Sequence, residues 1–125
     1  MCTDCNYSDP EVIESLFVEL DNPFGKNIVV GVVYRPPNQN ISAFLEVFNG
    51  ILSNITKGGK TCYVAGDYNL DILHYSEHAL TQEFVESLFS HMLFPLITKP
   101  TRITANLAAL TDNIFTNQLE NFICN

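Results

Sequence analysis

Asn27-Ile-Val-Val-Gly-Val-Val-Tyr34, then Arg35-Pro-Pro-Asn38, then Ser42-Ala-Phe-Leu-Glu-Val-Phe-Asn-Gly-Ile-Leu-Ser-Asn-Ile55, then Gly58-Gly-Lys-Thr-Cys-Tyr-Val-Ala65 is the run that decides the fold. Its first piece is almost unbroken in β-branched residues, which predicts a strand near the centre of a sheet, covered on both sides. The two prolines end it, because proline has no N–H to give a ladder and its ring keeps the backbone extended. Ser42 is placed to cap a helix in which Phe44, Val47, Phe48, Ile51, Leu52 and Ile55 recur at steps of three and four, with Glu46, Asn49, Ser53 and Asn54 outside. Gly58-Gly59 close that helix, and 61–65 reads as a short strand. Residues 27–65 thus predict a β-α-β unit.

Outward from this unit the pattern stays mixed. Residues 14–20 alternate Leu16, Val18, Leu20 against Ser15, Phe17, Glu19, the period of a strand with one wetter face, and Asp21-Asn22-Pro23 with Gly25 turn it. Phe84, Val85, Leu88, Phe89 and Met92 predict a second helix over 81–92. Residues 94–98 and 110–116 read as two further strands. With 125 residues, 46% of them apolar, the chain has the length of one α/β domain and too much core material for a disordered tail. Repeats, low-complexity stretches and linkers are absent from the sequence.

Six basic against fourteen acidic residues, a net charge of −8, argue against nucleic-acid binding through a broad positive face. Any phosphate site must be local, and three of the six basic residues, Arg35, Lys99 and Arg102, fall in two proline-containing loops. No apolar run reaches the ~18 residues of a membrane span. Met1-Cys2-Thr3-Asp4-Cys5 lacks the basic flank and apolar stretch of a signal peptide, so the expectation is a soluble, intracellular chain with no membrane partner and reduced cysteines. Cys2-x-x-Cys5 needs a second pair to make a zinc site, and Cys62 and Cys124 stand alone. His74 and His78, four apart, read as part of a solvated connection, and the sequons at Asn6, Asn40 and Asn54 as chance matches.

The chemistry-bearing residues lie where the β-α-β unit puts them. Polar groups beyond the carboxyl ends of its strands share one sheet edge, the usual place for a ligand in α/β proteins. These groups are Tyr34-Arg35 and Gly66-Asp67-Tyr68-Asn69. A carboxylate takes a proton from water or holds Mg²⁺, and an amide donates to a phosphate oxygen. The same tetrapeptide also reads as a plain Asp-Asn turn. Lys99-Pro-Thr101-Arg102 reads either as a phosphodiester contact or as a loop with one exposed charge. Asp112 interrupts an apolar strand, where a carboxylate needs a partner or an exposed edge.

Taken in order, Val-Val-Tyr34-Arg-Pro-Pro-Asn, Gly66-Asp67-Tyr68-Asn69, Lys-Pro-Thr101-Arg and Leu-Thr-Asp112-Asn-Ile-Phe-Thr resemble the endonuclease domain of non-LTR retrotransposons, within the endonuclease/exonuclease/phosphatase superfamily. The resemblance runs over about residues 14–116. It implies an α/β sandwich of two sheets with helices outside, a four-layer arrangement of which residues 1–125 would be a single partial domain. The activity implied is Mg²⁺-dependent hydrolysis of a DNA phosphodiester. By resemblance Asp67 activates the attacking water, Asn69 positions water or phosphate, Tyr34 donates to the phosphate, and Asp112 orients a catalytic histidine. By the same resemblance Thr101 lines the DNA site, and the positive charge concentrated in these loops makes Arg102 and Arg35 the expected substrate-binding cations. The implied partners are DNA and the rest of a retrotransposon polyprotein with its reverse transcriptase, acting in the nucleus.

Two family segments have no counterpart here. The metal-holding Glu would precede Glu14, and the closing Ser-Asp-His would follow Asn125, so no metal ligand is assigned within the chain. None of His74, His78 and His91 follows Ser-Asp. The expectation is therefore an internal piece of the domain that does not cleave DNA alone, or else a non-catalytic remnant.

Overall fold

The computed structural model describes residues 2–5, 13–37, 40–104 and 108–118; Asn6, Asn38 and Cys124 lie outside them. Three strands come first, β1 (Cys2–Cys5), β2 (Glu14–Leu20) and β3 (Ile28–Tyr34). Helix α1 (Ile41–Ile55) then leads to β4 (Thr61–Asp67), a 3-10 segment (Ile72–Glu77) and helix α2 (Ala79–Ser90). Four shorter strands follow, β5 (Phe94–Pro95), β6 (Arg102–Ile103), β7 (Ala108–Ala109) and β8 (Asp112–Thr116). β6 and β7 form a small hairpin, while the other six make one sheet in the order β1-β2-β3-β4-β8-β5. Among the described strands only β3 and β4 run parallel, because α1 carries the chain back to the start of the sheet between them. The expected α/β class and the β-α-β unit are both present.

Both helices cover one face. Phe44, Leu45, Phe48, Leu52, Phe84 and Leu88 pack on Phe17, Val29, Val33, Cys62, Val64 and Phe115 of the strands. At the centre the rings of Phe48, Tyr68, Phe84 and Phe115 meet at centroid distances between 5.3 and 6.0 Å, in stacked and edge-on pairs. Cys62 belongs to this core: its Sγ donates to the Ile55 carbonyl at 3.4 Å, and burial pushes its thiol up to about 11.

The other face departs from expectation. β3 was expected to be covered on both sides, yet burial alternates along it: Val29 and Val33 are buried, Val30 is 43% exposed and Val32 is 55% exposed. Leu16 and Leu20 of β2 stand exposed beside them. The β-branched run reports how apolar both faces are, not whether this chain supplies a cover for each.

Smaller differences have local causes. Asn40, not Ser42, caps α1, its side chain accepting from Ala43 N at 3.1 Å. α2 starts two residues early because His78 Nδ1 accepts from Thr81 N, and it stops at Ser90 as Met92 turns to a φ of +60°. The strand expected over 94–98 shortens to Phe94–Pro95, since Ile97 N turns to the Asn113 side chain at 3.0 Å. The strand expected over 110–116 begins at Asp112, because the Leu110 and Thr111 carbonyls accept from Ile72 N and Tyr68 N.

Candidate active site

The carboxyl ends of β3 and β4 and the start of β8 lie side by side. Tyr34 is opposite Asp67 in the parallel pair, and Asp67 is opposite Asp112 in the antiparallel one. Since side chains alternate, the buried neighbours Val33 and Asn113 identify the helix-covered face, and Tyr34, Asp67 and Asp112 all belong to the open one. Residues directly opposite in an antiparallel pair, as Asp67 and Asp112 are, have Cβ atoms about 4.5–5.5 Å apart. A hydroxyl and two carboxylates therefore form a row across three strand ends.

The turn after β4 is fastened on all sides. Gly66 is required because a Cβ there would overlap the Val33 carbonyl oxygen. Asp67 Oδ1 accepts from Asn69 N at 3.1 Å, and Arg35 N donates to the Asp67 carbonyl at 3.0 Å. Asn69 has a φ of +50°, in the left-handed region that asparagine tolerates better than most residues. Its Nδ2 donates to the Arg35 carbonyl at 2.6 Å. Tyr68, between the two polar residues, turns into the core, where its hydroxyl donates to the Val64 carbonyl at 3.2 Å and burial raises its pKa. The sequence groups Tyr68 with the polar residues at the sheet edge, but its ring belongs to the core, and the signal for that is an aromatic side chain between two polar ones at a strand end.

Arg35 is arranged differently from the expectation that it offers charge to a substrate. It is only 4% exposed, its Nε donating to the Tyr68 carbonyl at 2.7 Å and its Nη2 to the Asn69 carbonyl at 2.8 Å. Burial lowers its pKa and the nearby Asp67 charge raises it in part.

Thr101 and Arg102 approach from the hairpin. Thr101 N donates to the Ala109 carbonyl at 2.9 Å, and its Oγ1 accepts from Thr111 N and Asp112 N at 3.2 and 3.3 Å. Thr101 thus sits against the first residue of β8. Arg102 Nη2 lies 3.6 Å from Asp67 Oδ2, with about half of its side chain exposed. A cation that keeps this much water access can leave a carboxylate for a phosphate. Lys99 is exposed on the same loop.

Beside Asn69 a groove of 350 Å³ runs along Ile41, Asp71, His74, Glu77, His78 and Thr81. Asp71 was not singled out from sequence, yet it ties the segment after β4 to β8: Oδ1 accepts from Leu73 N at 3.1 Å and Leu110 N at 2.9 Å, and Oδ2 meets His74 Nδ1 at 2.6 Å. Among the described residues no three or more His, Cys, Asp or Glu side chains group as a metal site. Asp67 and Asp112 alone do not complete one, and one oxygen of Asp67 is already held by Asn69 N. No helix among the described residues is long and apolar enough to cross a membrane.

No protein-family model and no curated protein matches the chain. Solved structures do. The endonuclease domain of TRAS1, a telomere-specific non-LTR retrotransposon, is 15% identical with a TM-score of 0.61, over 94% of this chain and 56% of that one. The human nocturnin catalytic domain is 16% identical with a TM-score of 0.63, over 94% of this chain and 47% of that one. An endonuclease/exonuclease/phosphatase family protein from Leptotrichia buccalis is 14% identical with a TM-score of 0.57, over 94% and 50%. The chain has the fold these proteins share, and it spans about half the length of each.

Proposed function

We propose that this chain carries the phosphate-facing half of a DNA endonuclease of the endonuclease/exonuclease/phosphatase kind. The observation that carries the reading is the register placing Tyr34, Asp67 and Asp112 in one row on the open face, with Thr101 bound to Asp112 and Arg102 beside Asp67. Phosphoryl transfer is mostly a matter of placing groups and neutralising oxygen charge, and this row offers the parts. Asp67 takes the proton of the attacking water. Asn69 orients that water or a phosphate oxygen through its amide, Tyr34 donates to a second phosphate oxygen, and Arg102 swings from Asp67 to the strand that Thr101 borders. Asp112 waits for a histidine to orient.

The residues described do not by themselves fit a metal ion, so no step is derived through one. Mg²⁺ is our proposal for the complete domain, with its main ligands supplied from outside this chain. So are the substrate, DNA, the setting in a retrotransposon polyprotein with reverse transcriptase, and action in the nucleus. In this reading the open apolar face of β2 and β3 receives a second sheet, as sandwich packing requires.

The free chain should not convert supercoiled plasmid to open circle in excess Mg²⁺. The decisive experiment extends the reading frame on both sides of the chain. An extension that supplies a Glu-bearing segment before it and Ser-Asp-His after it should nick plasmid in Mg²⁺ and lose this in Asp67→Ala. Nicking that survives Asp67→Ala, or no nicking with both segments present, would overturn the proposal. The free chain should also bind a 12-base-pair duplex at low salt, and Arg102→Ala should flatten the salt dependence by about one unit of slope.

A further inference from the structure

We propose that Arg35 is a positioning residue: it holds the Asp67–Asn69 turn in the shape the site uses and contacts no phosphate. The role rests on the reading of Asp67 and Asn69 above. The guanidinium is buried, and two of its donors reach consecutive carbonyls, those of Tyr68 at 2.7 Å and Asn69 at 2.8 Å. Asn69 answers by donating Nδ2 to the Arg35 carbonyl at 2.6 Å, so the two residues clasp each other through backbone and side chain at once. The Arg35 N–H closes the ring on the Asp67 carbonyl at 3.0 Å. The carbon of the guanidinium stands 6.0 Å from the centre of the Phe44 ring, which backs it from α1.

The clasp has a job the local sequence cannot do. Asn69 occupies a left-handed conformation that costs a non-glycine residue free energy unless its surroundings impose it. At the head of the same turn Asn69 N donates to Asp67 Oδ1 at 3.1 Å and so aims the carboxylate. Arg35 supplies two charge-assisted bonds at the point where the chain would otherwise relax. A lysine keeps the charge but presents no planar fork to two adjacent carbonyls. Arg35 therefore acts on chemistry through Asp67 and Asn69, from the strand next door.

The test compares Arg35→Lys and Arg35→Met with the wild-type chain. Hydrogen exchange read by mass spectrometry should show faster exchange in the segment 67–70 of both variants, with α1 as protected as before. Affinity for the 12-base-pair duplex should fall about tenfold in both, the scale of one lost charge-assisted bond, with the salt slope unchanged. A phosphate contact predicts otherwise: Lys would retain affinity, and Met would lower the slope by about one. Either of those results, unchanged exchange at 67–70, or unfolding of both variants would overturn the proposal. A wild-type chain that ignores the duplex counts against the reading of the site, and the exchange arm still decides Arg35.

Discussion

The two faces of the central sheet are built from the same kinds of residue and have opposite fates. Against the helices, Phe17, Val29, Val33, Val64 and Phe115 are buried to within 3% of completely. On the far side Leu16, Leu20, Val30 and Val32 are all more than 40% exposed. A strand with one solvated face ordinarily puts polar residues there. Four large aliphatic side chains together are an interface pattern, and they lie on the same face as Tyr34, Asp67 and Asp112. The difference teaches that the candidate site and the uncovered apolar surface belong to one side of the molecule, so what covers the one also walls the other.

Breaking the covered face should have the largest effect. Phe84→Ala removes a ring that touches Phe44, Phe48, Tyr68 and Phe115, and should cost about 3–5 kcal/mol in urea unfolding. Gly66→Ala comes next, at about 1–3 kcal/mol, because the strand end must move off Val33. On the open face the outcome differs in kind. Val30→Thr with Val32→Thr should leave the unfolding midpoint nearly in place yet shift the chain toward monomer in size-exclusion chromatography and lower its binding of a hydrophobic dye. The wild-type chain should self-associate and bind the dye despite its charge of −8. A dye-silent wild-type monomer with a sharp melt would mean that the open face needs no cover.

The smallest expected effect is a pH dependence away from both faces. Hydrogen bonding to Asp71 raises the His74 pKa above its ordinary 6.5, against slight burial. Burial raises the Asp71 pKa, but the bonds from His74, Leu110 N and Leu73 N together hold it below 3.8. For His74 the stabilisation is complete below 6.5 and is lost as pH rises through its folded value. For Asp71 it is present above 3.8 and is lost as pH falls through the folded value. The pair should stabilise most in the acidic window between those ordinary values. The melting advantage of wild type over His74→Ala should be largest near pH 5 and shrink above neutrality; an advantage that grows with pH would refute the pairing.

Much of this was legible from residue order. The β-α-β unit followed from a β-branched run, an Arg-Pro-Pro stop and a helix-period stripe, because each depends on chain-local sterics and on which residues shun water. The family resemblance rested on four short segments in sequence, and the structural neighbours share its fold. Strand β2 was read with both ends right, since alternation and a turn carrying Pro23 and Gly25 are local signals, but its faces are reversed: Ser15 and Phe17 are buried while Leu16 and Leu20 stand exposed. Strand β5 came out shorter because its partner β8 lies about twenty residues on, and β6 and β7 were not foreseen because two residues on each side are too short to show an alternating pattern.

By itself the sequence determined the polarity pattern: which residues seek a core, where the chain must turn, and which few polar groups interrupt apolar strands. The β-α-β reading already put Tyr34 and Asp67 at one sheet edge; only the tertiary structure decided the register that sets them in one row with Asp112, since that is a long-range pairing that no single segment contains. Only it decided that Arg35 turns inward. An arginine beside two prolines carries the same charge whether it faces solvent or two carbonyls 33 and 34 residues away. The choice depends on the free energy of burying that charge with its bonds made, and those acceptors come near only when β3 and β4 lie side by side.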